Sequence, residues 1–223
     1  FFPNNHLHTH MFDPNCRQCP RLASFLDQVK ADYPAYHARP VAPFGPKNIQ
    51  LLIVGLAPGM HGANATGRPF TGDYAGVLLY QTLYDFGFSN RPVSASAADG
   101  LKLKNCRITN AVKCLPPQNK PSTDEIKGCN GFLKQELAAL KPGTVVLALG
   151  SIAHHAVLRA QGLKQGQYRF GHAHEYALPD GLWLLDSYHC SRYNTQTKRL
   201  TESMFQQVFA RARQLMGTPA QAA

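Results

Sequence analysis

The chain carries four short, mostly apolar runs, at residues 49–54, 107–112, 144–149 and 182–186. Within them apolar residues follow one another instead of alternating with polar ones. That pattern predicts strands buried on both faces, as in a parallel sheet covered by helices. Helical spacing fills the intervals. Residues 75–86 place Val77, Leu78, Leu79, Leu83 and Phe86 at helical spacing. Ser122-Thr123-Asp124-Glu125 is a capping box that opens a helix running to about residue 140, where Pro142-Gly143 stops it. Residues 151–161 and 198–216 complete the set, the last with Leu200, Met204, Val208 and Leu215 on one side. Strand-helix alternation with right-handed crossovers predicts one α/β domain over residues 1–223: a three-layer α/β/α sandwich with a central, mainly parallel four-stranded sheet. Residues 1–46, rich in proline, read as an irregular N-terminal arm around one short helix near 21–30. Such sheets bind ligands beyond the carboxyl ends of their strands, which directs attention to the segments after Val54, Val112 and Asp186.

Composition narrows the class. The 223 residues are 44% hydrophobic, enough for a packed core, and no apolar run approaches the ~20 residues of a membrane span. Only 16% are charged, yet Lys and Arg number 23 against 13 Asp and Glu, a formal +10. The one-sided charge favours a polyanionic partner. With no lipid-anchor motif or basic amphipathic helix, nucleic acid is favoured over membrane. The opening FFPNNHLHTH has no secretory signal, and its lack of Met suggests a trimmed start. Six cysteines in such a chain point to metal binding before disulfides.

Cys16-Arg17-Gln18-Cys19 is a C-x-x-C pair, and Cys114 and Cys129 lie further on. Four thiolates suit either zinc or an iron–sulfur cluster. The 14 residues between Cys114 and Cys129 depart from the second tight pair of a zinc ribbon. Cys106, at the start of the predicted strand at 107–112, reads as a core thiol. The first strand runs into GLAPGMHGANATGRPFTGD, residues 55–73. This loop has neither the G-x-G-x-x-G nor the Gly-Lys-Ser/Thr pattern, so no dinucleotide or nucleoside triphosphate site is supported.

Together with TNAVKCLPPQNKP at 109–121 and SYHCSRYNTQT at 187–197, this loop resembles, in order, motifs of the family 5 (type b) uracil-DNA glycosylases of the uracil-DNA glycosylase superfamily. The match spans roughly residues 16–204. The resemblance implies an α/β/α fold, removal of uracil and often other deaminated bases from DNA in base excision repair, and a four-iron four-sulfur cluster on Cys16, Cys19, Cys114 and Cys129. A cytoplasmic, nucleoid-associated bacterial or archaeal monomer is the corresponding expectation. No Lys lies within GLAPG or SYHCS to form a Schiff base, so the expected glycosylase is monofunctional and leaves an abasic site.

The resemblance also distributes roles. Excising a base requires flipping it from the stack into a pocket. Phe70 is expected to stack on that base, with Gly55 and Ala57 beside it. Asn110 matches an Asn that other superfamily branches use to read the edge of uracil, which predicts a bias toward uracil. His189 would donate to a pyrimidine carbonyl as negative charge develops. Leu56 and Ala57 lack the polar group some branches carry there, so orienting water falls to Asp73, which could instead cap the following helix. Asn119 matches a catalytic Asn. Ser191, Arg192 and Tyr193 would face DNA, with Arg68, Lys120, Lys113, Lys198 and Arg199 placed for phosphates. Cys190 stands where many members have Pro, which frees the backbone beside His189. Two other classes remain: an iron–sulfur DNA-binding protein without excision, and a small-molecule enzyme on a similar sheet, which the +10 charge disfavours.

Overall fold

The structure is a computed structural model that describes residues 12–220. The reading of the first ten residues as free of a secretory signal lies outside them. The strands are β1 (Leu51–Gly55), β2 (Cys106–Asn110), β3 (Val145–Leu149), β4 (Glu175–Ala177) and β5 (Trp183–Ser187). They form one sheet in the order β2-β1-β3-β5-β4, parallel except for β4, which runs antiparallel to β5. The α/β class is as predicted, but the sheet has five strands instead of four. The extra strand is three residues long and half-buried throughout, so it leaves no apolar run. Its signal is the Pro179-Asp180-Gly181 turn, where Gly181 takes φ 82° and the Leu178 N–H meets the Leu182 carbonyl at 2.9 Å.

The helices are α1 (Pro20–Asp32), α2 (Ala63–Thr66), α3 (Tyr74–Asp85), α4 (Thr123–Ala138), α5 (Ser151–Ala160), α6 (Arg192–Gln196) and α7 (Glu202–Leu215). Every residue of β1 and β3 is buried, which explains their unbroken apolar runs. Leu51, Ile53 and Leu147 turn to one face, against Leu79 and Leu83 of α3 and Phe205 and Phe209 of α7. Leu52, Val54 and Val146 turn to the other, against Leu133 and Leu137 of α4 and Val157 of α5. Each such side chain, fully buried, contributes about 1.5–3 kcal/mol. Among the described residues no helix is long and apolar enough to cross a membrane.

The start of α4 fixes the arm. Ser122 Oγ accepts the Glu125 N–H at 3.2 Å, and Glu125 Oε2 accepts the Ser122 N–H at 2.7 Å. The same carboxylate takes two bonds from the Arg21 guanidinium of α1, at 2.8 and 2.7 Å. A local cap thereby anchors α1, and with it the C-x-x-C pair just before it.

Candidate active site

A cleft of about 520 Å³ opens where β1, β2 and β5 end. Leu56, Ala57 and Gly59 line it from the segment after β1, Asn110 from the tip of β2, and His189, Ser191 and Arg192 from the segment after β5. Phe70, Asp73, Tyr74 and Asn119 complete the wall. Sequence placed these residues in separate motifs. The sheet brings them to one crevice.

Phe70 is buried and holds φ 57°, a left-handed conformation uncommon outside glycine. Its ring lies 5.9 Å from the His189 ring, the planes inclined by 27°. Gly55 does not line the cleft but makes it possible: a Cβ there would collide with Asn110 Oδ1 and stand 2.7 Å from Phe70 Cζ. Asn110 is 4% exposed, and its Oδ1 is buried without a hydrogen-bond partner among the described residues. An unmet buried acceptor in a cleft wall is costly unless a ligand supplies a donor.

Asp73 occupies the N-cap position of α3, yet its side chain does not cap that helix. It turns back and accepts the Ala63 N–H at 3.2 Å. Gly62 permits this, since a Cβ there would collide with the carboxylate. Burial raises the Asp73 pKa above its usual value, and the Ala63 N–H offsets part of the rise. Burial drives His189 the other way, down to about 4, so its imidazole is neutral at pH 7. Gln118 and Asn119 both take left-handed φ, 54° and 57°, after Pro116-Pro117. This backbone presents exposed Asn119 to the cleft.

Behind these residues lies a layer with no local sequence signal. His154 Nδ1 meets Asp186 Oδ1 at 2.8 Å, both side chains fully buried, and His154 Nε2 donates to the Tyr168 carbonyl at 2.9 Å. Because a carbonyl only accepts, Nε2 carries a proton and Nδ1 shares a second with Asp186. His172 Nδ1 accepts the Tyr188 N–H at 3.1 Å, fixing the backbone next to His189. The partners lie 32 and 16 residues apart, beyond any motif. Tyr74, 48% exposed beside Asp73, was also missed, although an exposed aromatic in the motif loop could have been noticed.

The basic residues divide. Arg68 is 5% exposed and turned inward, bonded to Asp99 at 2.8 Å, Ser94 at 2.9 Å and the Ala97 carbonyl at 2.8 Å, with Phe44 4.5 Å below. Burial pushes Asp99 up, but the guanidinium and three backbone N–H groups outweigh it and hold the carboxyl well below its ordinary range. Lys113 is 1% exposed, its Nζ bonded to Thr109 Oγ1, the Asn110 carbonyl and Glu136. The expectation that Arg68 and Lys113 meet phosphate is therefore corrected: both are structural, with their donors engaged inside. Lys120, Arg192, Lys198 and Arg199 are exposed. Arg192 lies over Tyr74 at 5.4 Å and Arg199 over Tyr188 at 4.7 Å, while Ser191 Oγ accepts the Asn194 N–H at 3.3 Å to cap α6. Cys190 is wholly buried in the main core near Phe70, which gives it a packing role.

Cys16, Cys19, Cys114 and Cys129 line one small cavity of about 20 Å³ with Leu22, Pro40 and Phe132. Burial, followed by the charges of the neighbouring thiolates, pushes Cys114 up to about 12. Four sulfurs crowded in an apolar setting would ionise readily only around a cationic centre. Among the described residues no group of three or more His, Cys, Asp or Glu side chains is placed to hold a metal ion.

A parallel-sheet crevice with a buried aromatic, an open amide acceptor, a desolvated carboxylate and a neutral imidazole defines a ligand-processing α/β domain. Residues 42–213 match the sequence model described as the Uracil DNA glycosylase superfamily. The type-5 uracil-DNA glycosylase of Thermus thermophilus is 45% identical over 207 residues, 91% of this chain and 94% of that one. That of Pyrobaculum aerophilum is 41% identical over 202 residues, 89% and 88% of the two chains. That of Mycobacterium tuberculosis is 43% identical over 211 residues, 91% and 78%. The chain belongs to the uracil-DNA glycosylase superfamily and, within it, to the type-5 family.

Proposed function

We propose that this chain hydrolyses the N-glycosidic bond of uracil in DNA and leaves an abasic site, a step of base excision repair. The observation that carries the proposal is the convergence of Phe70, Asn110, Asp73 and His189 on one cleft. A flipped uracil stacks on Phe70 while its N3–H meets the open Asn110 acceptor. As the bond between N1 and C1′ breaks, its electron pair leaves with the base, and neutral His189 donates a hydrogen bond to the carbonyl where charge accumulates. Asp73 faces the sugar as a carboxylate, offsets the positive charge at C1′, and takes a proton from the water that attacks there. Asn119, which lines the same cleft, holds that water. Among the described residues no lysine lines this cleft, as a monofunctional enzyme requires. It acts as a cytoplasmic monomer on single- or double-stranded DNA.

Incubation with uracil-containing duplex followed by alkali tests the proposal. Strand scission is expected for the wild type and not for His189→Ala. Scission no greater than in that variant would leave only a DNA-binding role. Asn110→Ala should lose uracil excision by about 5- to 150-fold, given one lost buried hydrogen bond of about 1–3 kcal/mol. Hypoxanthine excision equal to that of uracil in the wild type and unchanged in the variant would overturn the uracil bias.

Cys16, Cys19, Cys114 and Cys129 are further proposed to hold a four-iron four-sulfur cluster. The all-sulfur donor set and its single shared cavity support this. When bound, the cluster supplies a covalent tie between the arm and α4, with no redox step in the hydrolysis. Iron and sulfide analysis of the purified protein should give about four of each per chain; zinc without iron would refute it.

A further inference from the structure

Beside the cleft, three aromatic rings stand together at the surface. Tyr33 and Tyr36 stack with centroids 4.6 Å apart and planes inclined by 18°. His61 meets both edge-on, at 5.7 and 5.9 Å, and its Nδ1 shares a 2.8 Å hydrogen bond with the Tyr36 hydroxyl. Tyr33 is 39% exposed, and His61 is exposed. The rings are not needed to fasten the arm to the loop, because the His37 and Ala38 N–H groups already bond the Ala65 and Asn64 carbonyls at 3.0 Å.

We infer that Tyr33, Tyr36 and His61 form a stacking platform for an unpaired base next to the flipped nucleotide, so that the partner of this surface is single-stranded DNA. The inference rests on the DNA glycosylase reading and extends it to strand form. Position supports it: His61 lies two residues from Gly59, which lines the cleft, and so at most about 7.6 Å from it between Cα atoms. Charge supports it too. Lys30 Nζ is bonded to the Tyr36 carbonyl at 2.6 Å, and exposed Arg39 follows in the same segment, as a strand crossing the platform requires. Every base has a flat face, so a platform of this kind recognises unpaired bases without reading sequence. In a continuous duplex the neighbouring bases remain stacked within the helix and have no use for it.

The test measures binding of labelled single-stranded and fully paired DNA by Tyr33→Leu, which keeps apolar packing but removes the ring, and by Tyr33→Phe, which restores it. Tyr33→Leu should bind the single strand about tenfold more weakly and the duplex nearly as wild type, with Tyr33→Phe restoring affinity. Equal losses on both forms, or none on the single strand, would overturn the platform, and matched melting temperatures confirm that the variants fold. Excision of uracil by the wild type is read in parallel. Its absence would count against the glycosylase reading, whereas excision with unchanged Tyr33→Leu binding would count against the platform alone.

Discussion

His189 and Asp73 share one cleft, and burial moves their proton equilibria in opposite directions: the imidazole falls to about 4 while the carboxyl rises above its usual range. At pH 7 this leaves a neutral donor facing a carboxylate, which is the protonation state the chemistry needs. Because burial raises the Asp73 carboxyl, its protonation in acid should make kcat decline at a pH above the ordinary carboxylate value of 3.8, and Asp73→Asn should remove that limb from the pH profile while lowering kcat. His189→Ala should lower kcat by about 10²–10³ with a smaller change in KM, as expected for a lost oxyanion donor. The same imidazole affects stability. It titrates near 6.5 when unfolded and about 4 when folded, so the unfolded chain gains protons first and stability falls as pH drops through that window. Arg68 predicts a different outcome. Removing one member of its buried pair should destabilise by about 3–5 kcal/mol in urea unfolding, without changing the salt dependence of DNA binding. Apart from Tyr74, the identities of the named cleft residues were legible in sequence because they fall in ordered motifs. Their side-chain directions were not: Arg68 and Lys113 sit in those motifs and turn inward, and Asp73 holds a cap position without capping.

At the scale of elements, strands buried on both faces wrote themselves as apolar runs, and the capping box of α4 was visible residue by residue. Shorter pieces left no period to detect. α2 and α6 span four and five residues inside the motif loops, and β4 spans three. The convergence of β1 and β2 was hidden in a different way, since it depends on the absence of a side chain at Gly55. Gly55→Ala should therefore cost activity more than stability. A methyl group there displaces Phe70 or Asn110, which would be read as a KM rise of at least tenfold, about 1.4 kcal/mol of lost base binding, with a smaller fall in melting temperature.

For the whole molecule, the +10 charge is less a uniform coat than it looked. With Arg68 and Lys113 committed to the interior, Lys120, Arg192, Lys198 and Arg199 remain near the cleft. If these four meet phosphates, the logarithm of affinity should fall against the logarithm of salt with a slope of about −3 to −4. On duplex, which leaves Lys30 and Arg39 beside the platform unused, a slope near −6 would mean that other surfaces hold DNA. A chain that gathers along a polyanion meets its own copies at high local density, where an open sheet margin would recruit another strand. Little of either margin is open. Phe44 exchanges backbone hydrogen bonds of 2.8 Å with Ile108 along the outside of β2, and at the other side β4 ends the sheet after three residues. The arm that carries two of the cysteines thus also blunts one margin of the sheet against strand pairing between neighbouring molecules.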